Sequence, residues 1–360
     1  MKYILVTQTF APRTGGMQTV MIALSKSLGS LAETHVFPDH FISNQNKSWN
    51  EKIFIHNNFS PKVFRSFIKK KLVSKVFKDG DIIICDSWKS VKAVPHNVEK
   101  VIVLAHGQEY LSVTKKISLI KKSLDRATHI ICSSKYTHEL IKNLSITDTK
   151  KSVIPPTYSL KKVIINKQNS SRSLNTLNFL SITRLEERKG ISLVLDALGS
   201  LVKSNSIKHS FVWNICGIGD QKKQIEEKIK LLNLSNQVKL IGKINNQDKD
   251  YFLNSSDLFI MPSYSVGKSI EGFGISYIEA AAYGIPSIAG VEGGVKDAVI
   301  DKKTGWCVDP LNKDELLNVL LEAINNNKKR EKFGSQAKKQ FIDEFLGEKV
   351  FRKFMRTIST

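Results

Sequence analysis

Short continuous apolar runs alternate along this chain with longer stretches whose apolar positions recur every three or four residues. A continuous run reads as a strand buried on both faces. Strands of that kind belong to parallel sheets covered by crossover helices. In the first half the runs predict strands over 3–6, 82–85, 101–105 and 129–132, with helices over 16–28, 61–77 and 115–126. In the second half they predict strands over 177–182, 211–216, 238–241, 258–261 and 287–289. Helices are predicted there over 191–202, 221–232, 247–254 and 274–283. Between the halves, Pro155-Pro156 closes the last segment, and 161–175 is polar and rich in Lys, Asn and Ser. That composition reads as a connection between domains. The expected division is 1–165, 166–343 and a closing helix in 344–360, where Phe345, Val350, Phe351, Phe354 and Met355 fall at near-helical spacing.

At 360 residues the chain is long enough for two cores, and 41% apolar content makes it globular. No apolar run approaches the roughly 18–20 residues that cross a bilayer. The opening MKYILVTQTF is expected to be a first strand and not an export signal. Cys85, Cys132, Cys216 and Cys307 lie far apart without metal-ligand spacing. Buried free thiols and a cytoplasmic location are the expectation. Charge adds something composition does not. Residues 1–167 hold 27 Lys/Arg against 11 Asp/Glu, and residues 168–360 hold 28 against 22. The net charge of +22 is therefore concentrated in the first half. Anionic lipid, a phosphorylated acceptor or nucleic acid would suit such a surface.

Four places carry candidate chemistry. Glu271-Gly272-Phe273-Gly274-Ile275-Ser276 precedes a predicted helix that holds Glu279. The glycines allow a tight turn, the helix start offers N–H groups to a phosphate, and the carboxylates can accept hydrogen bonds from hydroxyls. From composition alone, an ordinary strand–loop–helix with incidental acids fits this segment as well. Arg184 and Lys189 follow the strand ending at Ile182. Ligands of open parallel sheets bind beyond the carboxyl ends of strands, and an Arg fork with a Lys point charge suits a diphosphate. Gly15-Gly16 sits between the first strand and the first helix, and Gly217 lies in a similar turn. Neither forms a dinucleotide-binding Gly-x-Gly-x-x-Gly or a Walker loop. His106 ends the strand over 101–105.

Taken in order, these features resemble glycosyltransferase family 4. The shared series is Gly-Gly after the first strand, His-Gly, Arg-x4-Lys-Gly, Gly-x-Gly, Glu-x7-Glu and Thr304-Gly305-Trp306. The resemblance spans nearly the whole chain and is most specific over 180–305. It implies the α/β GT-B fold: two facing Rossmann-like domains with parallel sheets, a central cleft, and a C-terminal helix returning to the first domain. It implies a retaining hexosyltransferase without a metal, acting from a UDP- or GDP-sugar onto a glycan or lipid-linked acceptor in cell-surface polysaccharide biosynthesis. Glu271 would meet the sugar, and Gly272, Phe273, Gly274 and Ile275 the sugar or phosphate through the backbone. Glu279 would bind the ribose, and Arg184 and Lys189 the diphosphate. Gly15, Gly16 and Gly217 would line the donor site, and His106 would lie by the sugar. Two departures stand out. Pro155-Pro156-Thr157 replaces the common Pro-Asn-Gly, and Lys296-Asp297 stands where a Glu is usual.

Residues 61–80 interleave Phe64, Phe67, Ile68, Leu72, Val76 and Phe77 with seven Lys/Arg. A basic amphipathic helix of this kind predicts peripheral binding to the anionic inner face of the cell membrane. A surface helix packed on the core by its apolar side is equally compatible. A nucleotide-sugar epimerase is the alternative enzyme. Nucleic-acid binding is disfavoured, because the lysines come without a stacking platform.

Overall fold

The computed structural model describes residues 1–13, 15–42, 51–111, 116–144, 149–158 and 176–359. The chain forms two compact units, Met1–Lys161 with Leu346–Thr360, and Lys162–Phe345. The polar connection read in 161–175 lies outside the described residues.

Unit 1 is a seven-stranded parallel sheet ordered β3-β2-β1-β4-β5-β6-β7. Its strands are β1 (Tyr3–Val6), β2 (Thr34–Phe37), β3 (Ile53–Ile55), β4 (Ile82–Cys85), β5 (Val101–Ala105), β6 (His129–Cys132) and β7 (Lys150–Val153). The four predicted strands are the central ones, each buried along its whole length. The sequence pattern missed β2, β3 and β7. β2 is only four residues long and contains Thr34 and His35, and β7 is a polar edge strand with Lys150 exposed. An edge strand faces solvent and need not be apolar. The helices are α1 (Gly16–Gly29), α2 (Arg65–Val76), α3 (Ile117–Leu124) and α4 (Lys135–Lys142). The C-terminal helix, α12 (Gly347–Ser359), also belongs to this unit. It buries Gly347, Val350, Phe354 and Ile358, spaced three or four residues apart. Phe354 meets Tyr158 edge-on at 5.3 Å, and Lys353 Nζ donates to the Val153 carbonyl at 2.9 Å.

α2 meets the core with Val73, and Leu72, Val76 and, just beyond the helix, Phe77 pack partly buried against that core, so the core-packed reading holds for that side. Within it only Lys69 and Val73 are fully buried, while Phe64 just before it and Phe67 within it stay exposed.

Unit 2 is a six-stranded parallel sheet ordered β10-β9-β8-β11-β12-β13. The strands are β8 (Thr176–Ile182), β9 (Ser210–Cys216), β10 (Val238–Gly242), β11 (Leu258–Met261), β12 (Ser287–Ala289) and β13 (Gly305–Cys307). Thr304-Gly305-Trp306 thus opens an edge strand. Among the described residues the helices of this unit are α5 (Ile191–Lys203), α6 (Lys222–Leu231), α7 (Asn246–Ser255), α8 (Ile275–Ala282), α9 (Val295–Ala298), α10 (Lys313–Asn325) and α11 (Asn327–Gln340). Trp213 and Trp306 are buried with their indole N–H groups satisfied, by Ser181 Oγ at 3.0 Å and Glu322 Oε2 at 2.6 Å. A π-helical turn, Phe341–Phe345, ends the unit. Phe345 packs there against Phe273, so the predicted closing helix starts at Gly347 and not at Glu344.

Candidate active site

In each sheet the chain runs outward in one direction, then returns to the middle and continues on the other side. That reversal leaves a crevice beyond the carboxyl ends of the two central strands. In unit 2 the central strands are β8 and β11. The loop after β8 carries Arg184 to Lys189, and the loop after β11 carries Glu271 to Gly274. The backbone ties them together, since Tyr264 N–H donates to the Arg188 carbonyl at 2.9 Å.

Five charged side chains from these loops form one chain of contacts. Arg184 Nη1 lies 2.5 Å from Glu186 Oε1. Glu186 Oε2 accepts from Arg188 Nε at 3.0 Å. Arg188 Nη1 donates to Glu271 Oε2 at 3.0 Å, and Lys189 Nζ donates to the same oxygen. Arg188 and Lys189 are buried, whereas the Arg184 side chain is 66% exposed. Burying a cation is costly unless it is paired, and Glu271 supplies the pairing here. Burial alone would raise the Glu271 pKa, but the Lys189 ammonium and the Arg188 guanidinium outweigh it and hold the carboxyl at about 2. Burial lowers the Lys189 pKa, and Glu271 partly restores it. At neutral pH Glu271 is thus an ionised carboxylate held between the buried Arg188 and Lys189 side chains, while Arg184 reaches out to solvent.

Beside it α8 begins. Gly274 has φ +92°, and a Cβ there would fall 2.4 Å from the Tyr277 ring. The position therefore admits only glycine. Tyr277 is locked by donating its hydroxyl to the Met261 carbonyl. Among the described residues no side chain caps the helix; the Tyr277 N–H donates to the Gly274 carbonyl at 3.0 Å, so the Ile275 and Ser276 amides are the ones the helix start offers to an anion. The Phe273 side chain is in the core, which leaves only its backbone for a ligand. Further along α8, Glu279 accepts from Lys249 Nζ of α7 at 2.7 Å. Gly217 has a structural reason to be glycine: a Cβ would lie 1.7 Å from the Thr183 carbonyl oxygen.

The structure thus brings Arg184, Lys189 and Glu271 together beside the start of α8, with Glu279 farther along that helix. Sequence reasoning assigned no role to Arg188 or Lys249. Both sit in charge-rich stretches that read as solvated, and no spacing says which lysine or arginine turns inward. Gly15, Gly16 and His106 belong to unit 1. Gly15 precedes α1 and Gly16 is its first residue. His106 Nε2 lies 3.1 Å from the Asp86 carbonyl, and the His106 backbone N–H donates to Glu109 Oε1 at 2.8 Å.

Residues 164–340 match the family described as glycosyl transferases group 1. The second unit is a group 1 glycosyl transferase domain. The transferase is 22% identical over 379 residues to a GDP-mannose-dependent monoacylated alpha-(1-6)-phosphatidylinositol monomannoside mannosyltransferase of Corynebacterium glutamicum, covering 97% of this chain and 96% of that protein. It is 26% identical over 367 residues to an uncharacterized glycosyltransferase of Methanocaldococcus jannaschii, covering 96% and 95%. Among solved structures, Anabaena HepE in complex with UDP and glucose superposes with a TM-score of 0.79 at 19% identity, over 100% of this chain and 99% of that one. At that identity the likeness shows the fold, which is GT-B with two parallel-sheet Rossmann-like units.

Proposed function

We propose that the transferase is a retaining hexosyltransferase of family 4, moving a sugar from UDP or GDP to a glycan or lipid-linked acceptor in cell-surface polysaccharide synthesis. The observation that carries this reading is the Arg184–Glu186–Arg188–Glu271–Lys189 chain beside the open start of α8. A leaving nucleoside diphosphate gains negative charge as the bond from the sugar C1 to the β-phosphate oxygen breaks. Arg184, Lys189 and the first amides of α8 are fixed positive groups for that charge, and they stabilise it without reorganising. Glu271, held ionised, accepts hydrogen bonds from sugar hydroxyls. Glu279 takes the ribose hydroxyls. These groups serve in place of a divalent metal.

The acceptor hydroxyl attacks C1 on the face the diphosphate leaves and passes its proton to a phosphate oxygen of that group. The new bond then keeps the anomeric configuration. The relatives support the donor class: one is named as GDP-mannose-dependent, and another was solved with UDP and glucose. The test is nucleotide release from a panel of UDP- and GDP-sugars with an acceptor mixture, without nicotinamide. Release is expected with one base and one sugar, and lost in Glu271→Ala. Turnover that depends on nicotinamide, or none with any sugar nucleotide, would overturn the reading.

We also place the transferase peripherally at the cytoplasmic membrane face. Support comes from Phe59, Val63, Phe64 and Phe67, all exposed, with Lys62 among them in sequence and Lys70 and Lys71 just after. Among the described residues no helix is long and apolar enough to cross a membrane.

A further inference from the structure

Unit 1 has its own crevice at the reversal between β1 and β4. A pocket of about 270 Å³ lies there. Gln8 lines it after β1, Asp39 after β2, and Trp88, Lys89 and Ser90 after β4, with Ser66 and Lys69 of α2 and Lys116 just before α3.

Four lysines and one carboxylate converge on this pocket: Lys69, Lys89, Lys92 and Lys116 against Asp39. Lys69 accounts for the carboxylate. Its ammonium is buried, pairs with Asp39 and donates to the Thr7 carbonyl at 2.8 Å. Asp86, the other buried acid nearby, is occupied by neutral donors: Thr7 Oγ1 at 2.8 Å, the Gln8 N–H at 2.7 Å and Ser90 Oγ at 2.5 Å. Lys89, Lys92 and Lys116 therefore have no carboxylate partner among the described residues.

Their placement is informative. Lys89 caps, and Lys92 sits within, the 3-10 turn Ser90–Ala93. Residues three apart on such a turn stand on the same side, and both side chains line the pocket. Lys116 caps α3 at its N-terminus, the positive end of that helix. Lys89 also lies over the Trp88 ring at 5.7 Å, while the Trp88 indole N–H is buried without an acceptor among the described residues. A buried donor without an acceptor costs stability, and an anion that met it here would also meet three ammonium groups without a carboxylate partner among the described residues.

We propose that this pocket binds an anion of the phosphate or diphosphate class through Lys89, Lys92 and Lys116. That the anion belongs to the acceptor rests on the transferase reading above. The pocket's affinity for it does not.

The experiment is calorimetric titration of the full chain with inorganic pyrophosphate at low salt. The wild type is compared with Lys89→Gln/Lys92→Gln/Lys116→Gln, with Arg184→Ala to mark any site in unit 2, and with Lys62→Gln/Lys71→Gln as a charge control on α2. All changed side chains are exposed, and unchanged thermal unfolding confirms the folds. Measured in the Arg184→Ala background, which removes the contribution of the unit 2 site, the triple change is expected to weaken the remaining binding at least tenfold, while the control changes leave it as it was. A wild type that binds no pyrophosphate, a triple variant that binds normally, or a control that weakens binding equally would overturn the proposal. Sedimentation with phosphatidylglycerol vesicles separates the sources. A triple variant that loses pyrophosphate but still sediments points to a soluble phosphate group. One that loses both points to a lipid headgroup.

Discussion

Arg184 and Arg188 stand four residues apart in one loop, and their surroundings set opposite outcomes for removing them. Arg184 is mostly exposed, so Arg184→Ala should leave thermal stability nearly unchanged. Losing one charge-assisted contact to a phosphate is worth roughly 1.5–3 kcal/mol, so kcat/KM should fall about ten- to hundredfold. Arg188 is buried between Glu186 and Glu271. Arg188→Ala leaves two carboxylates with fewer partners, and breaking a buried pair costs about 3–5 kcal/mol. Thermal unfolding and donor kinetics on the two variants check this contrast. It fails if Arg184→Ala is the less stable protein. Glu271 adds a pH dependence. Its folded pKa of about 2 lies below the 4.5 it has without partners. The stability it contributes is therefore complete above about 4.5 and is lost as pH falls towards 2, on the order of 3 kcal/mol in all. Lys189 works against this, because burial disfavours its charged form. Glu271→Gln should flatten the acid limb of a denaturant-unfolding profile between those pH values. Arg184, Lys189 and Glu271 were legible as a group because each follows a readable strand. Arg188 was not, because a run of charges does not reveal which side chain points inward.

Elements were legible where burial is two-sided. The strands 82–85 and 101–105 stood out because a central parallel strand has no solvent face and no polar residue to blur the run. β7 begins Lys150-Lys151 and is an edge strand, so its sequence reads as loop. α10 and α11 went unread although both are long. α11 has five lysines and one arginine in fourteen residues, and only sparse apolar positions such as Phe333 and Ala337 mark its buried side. α12 was legible from its apolar spacing, but not its start, because Phe345 belongs to the π-turn that packs on Phe273. Two element-scale predictions follow from specific contacts. Phe354 is fully buried against Tyr158, so Phe354→Ala should lower unfolding free energy by about 3–5 kcal/mol, measured in urea. Gly274→Ala places a methyl against the Tyr277 ring at a φ that only glycine takes easily. It should shift the start of α8, cost about 1–3 kcal/mol and raise the donor KM. A stable variant with unchanged KM would show that the α8 amides do not hold the donor.

At the scale of the whole molecule, the question is what the basic first half does, and the exposed aromatic residues turn it into a quantitative one. Charge alone would make vesicle binding purely electrostatic. Such attraction fades as the screening length shortens from about 30 Å at 0.01 M salt to about 8 Å at 0.15 M. Phe59, Phe64 and Phe67 add a second contribution that salt does not screen. Full burial of one such side chain is worth roughly 1.5–3 kcal/mol, so even partial insertion of three should outlast the loss of the charge attraction. The wild type should therefore sediment with phosphatidylglycerol vesicles at low salt and keep a measurable fraction bound at 0.15 M. Phe59→Ser/Phe64→Ser/Phe67→Ser should bind at low salt and release at 0.15 M. Lys62→Gln/Lys70→Gln/Lys71→Gln should bind more weakly throughout, with a shallower dependence on salt. If all three proteins release together as salt rises, the aromatic residues contribute nothing, and the surface is a basic one that meets lipid only through charge. If none sediments at any salt, α2 does not face a membrane, and its exposed phenylalanines must be covered by something other than lipid.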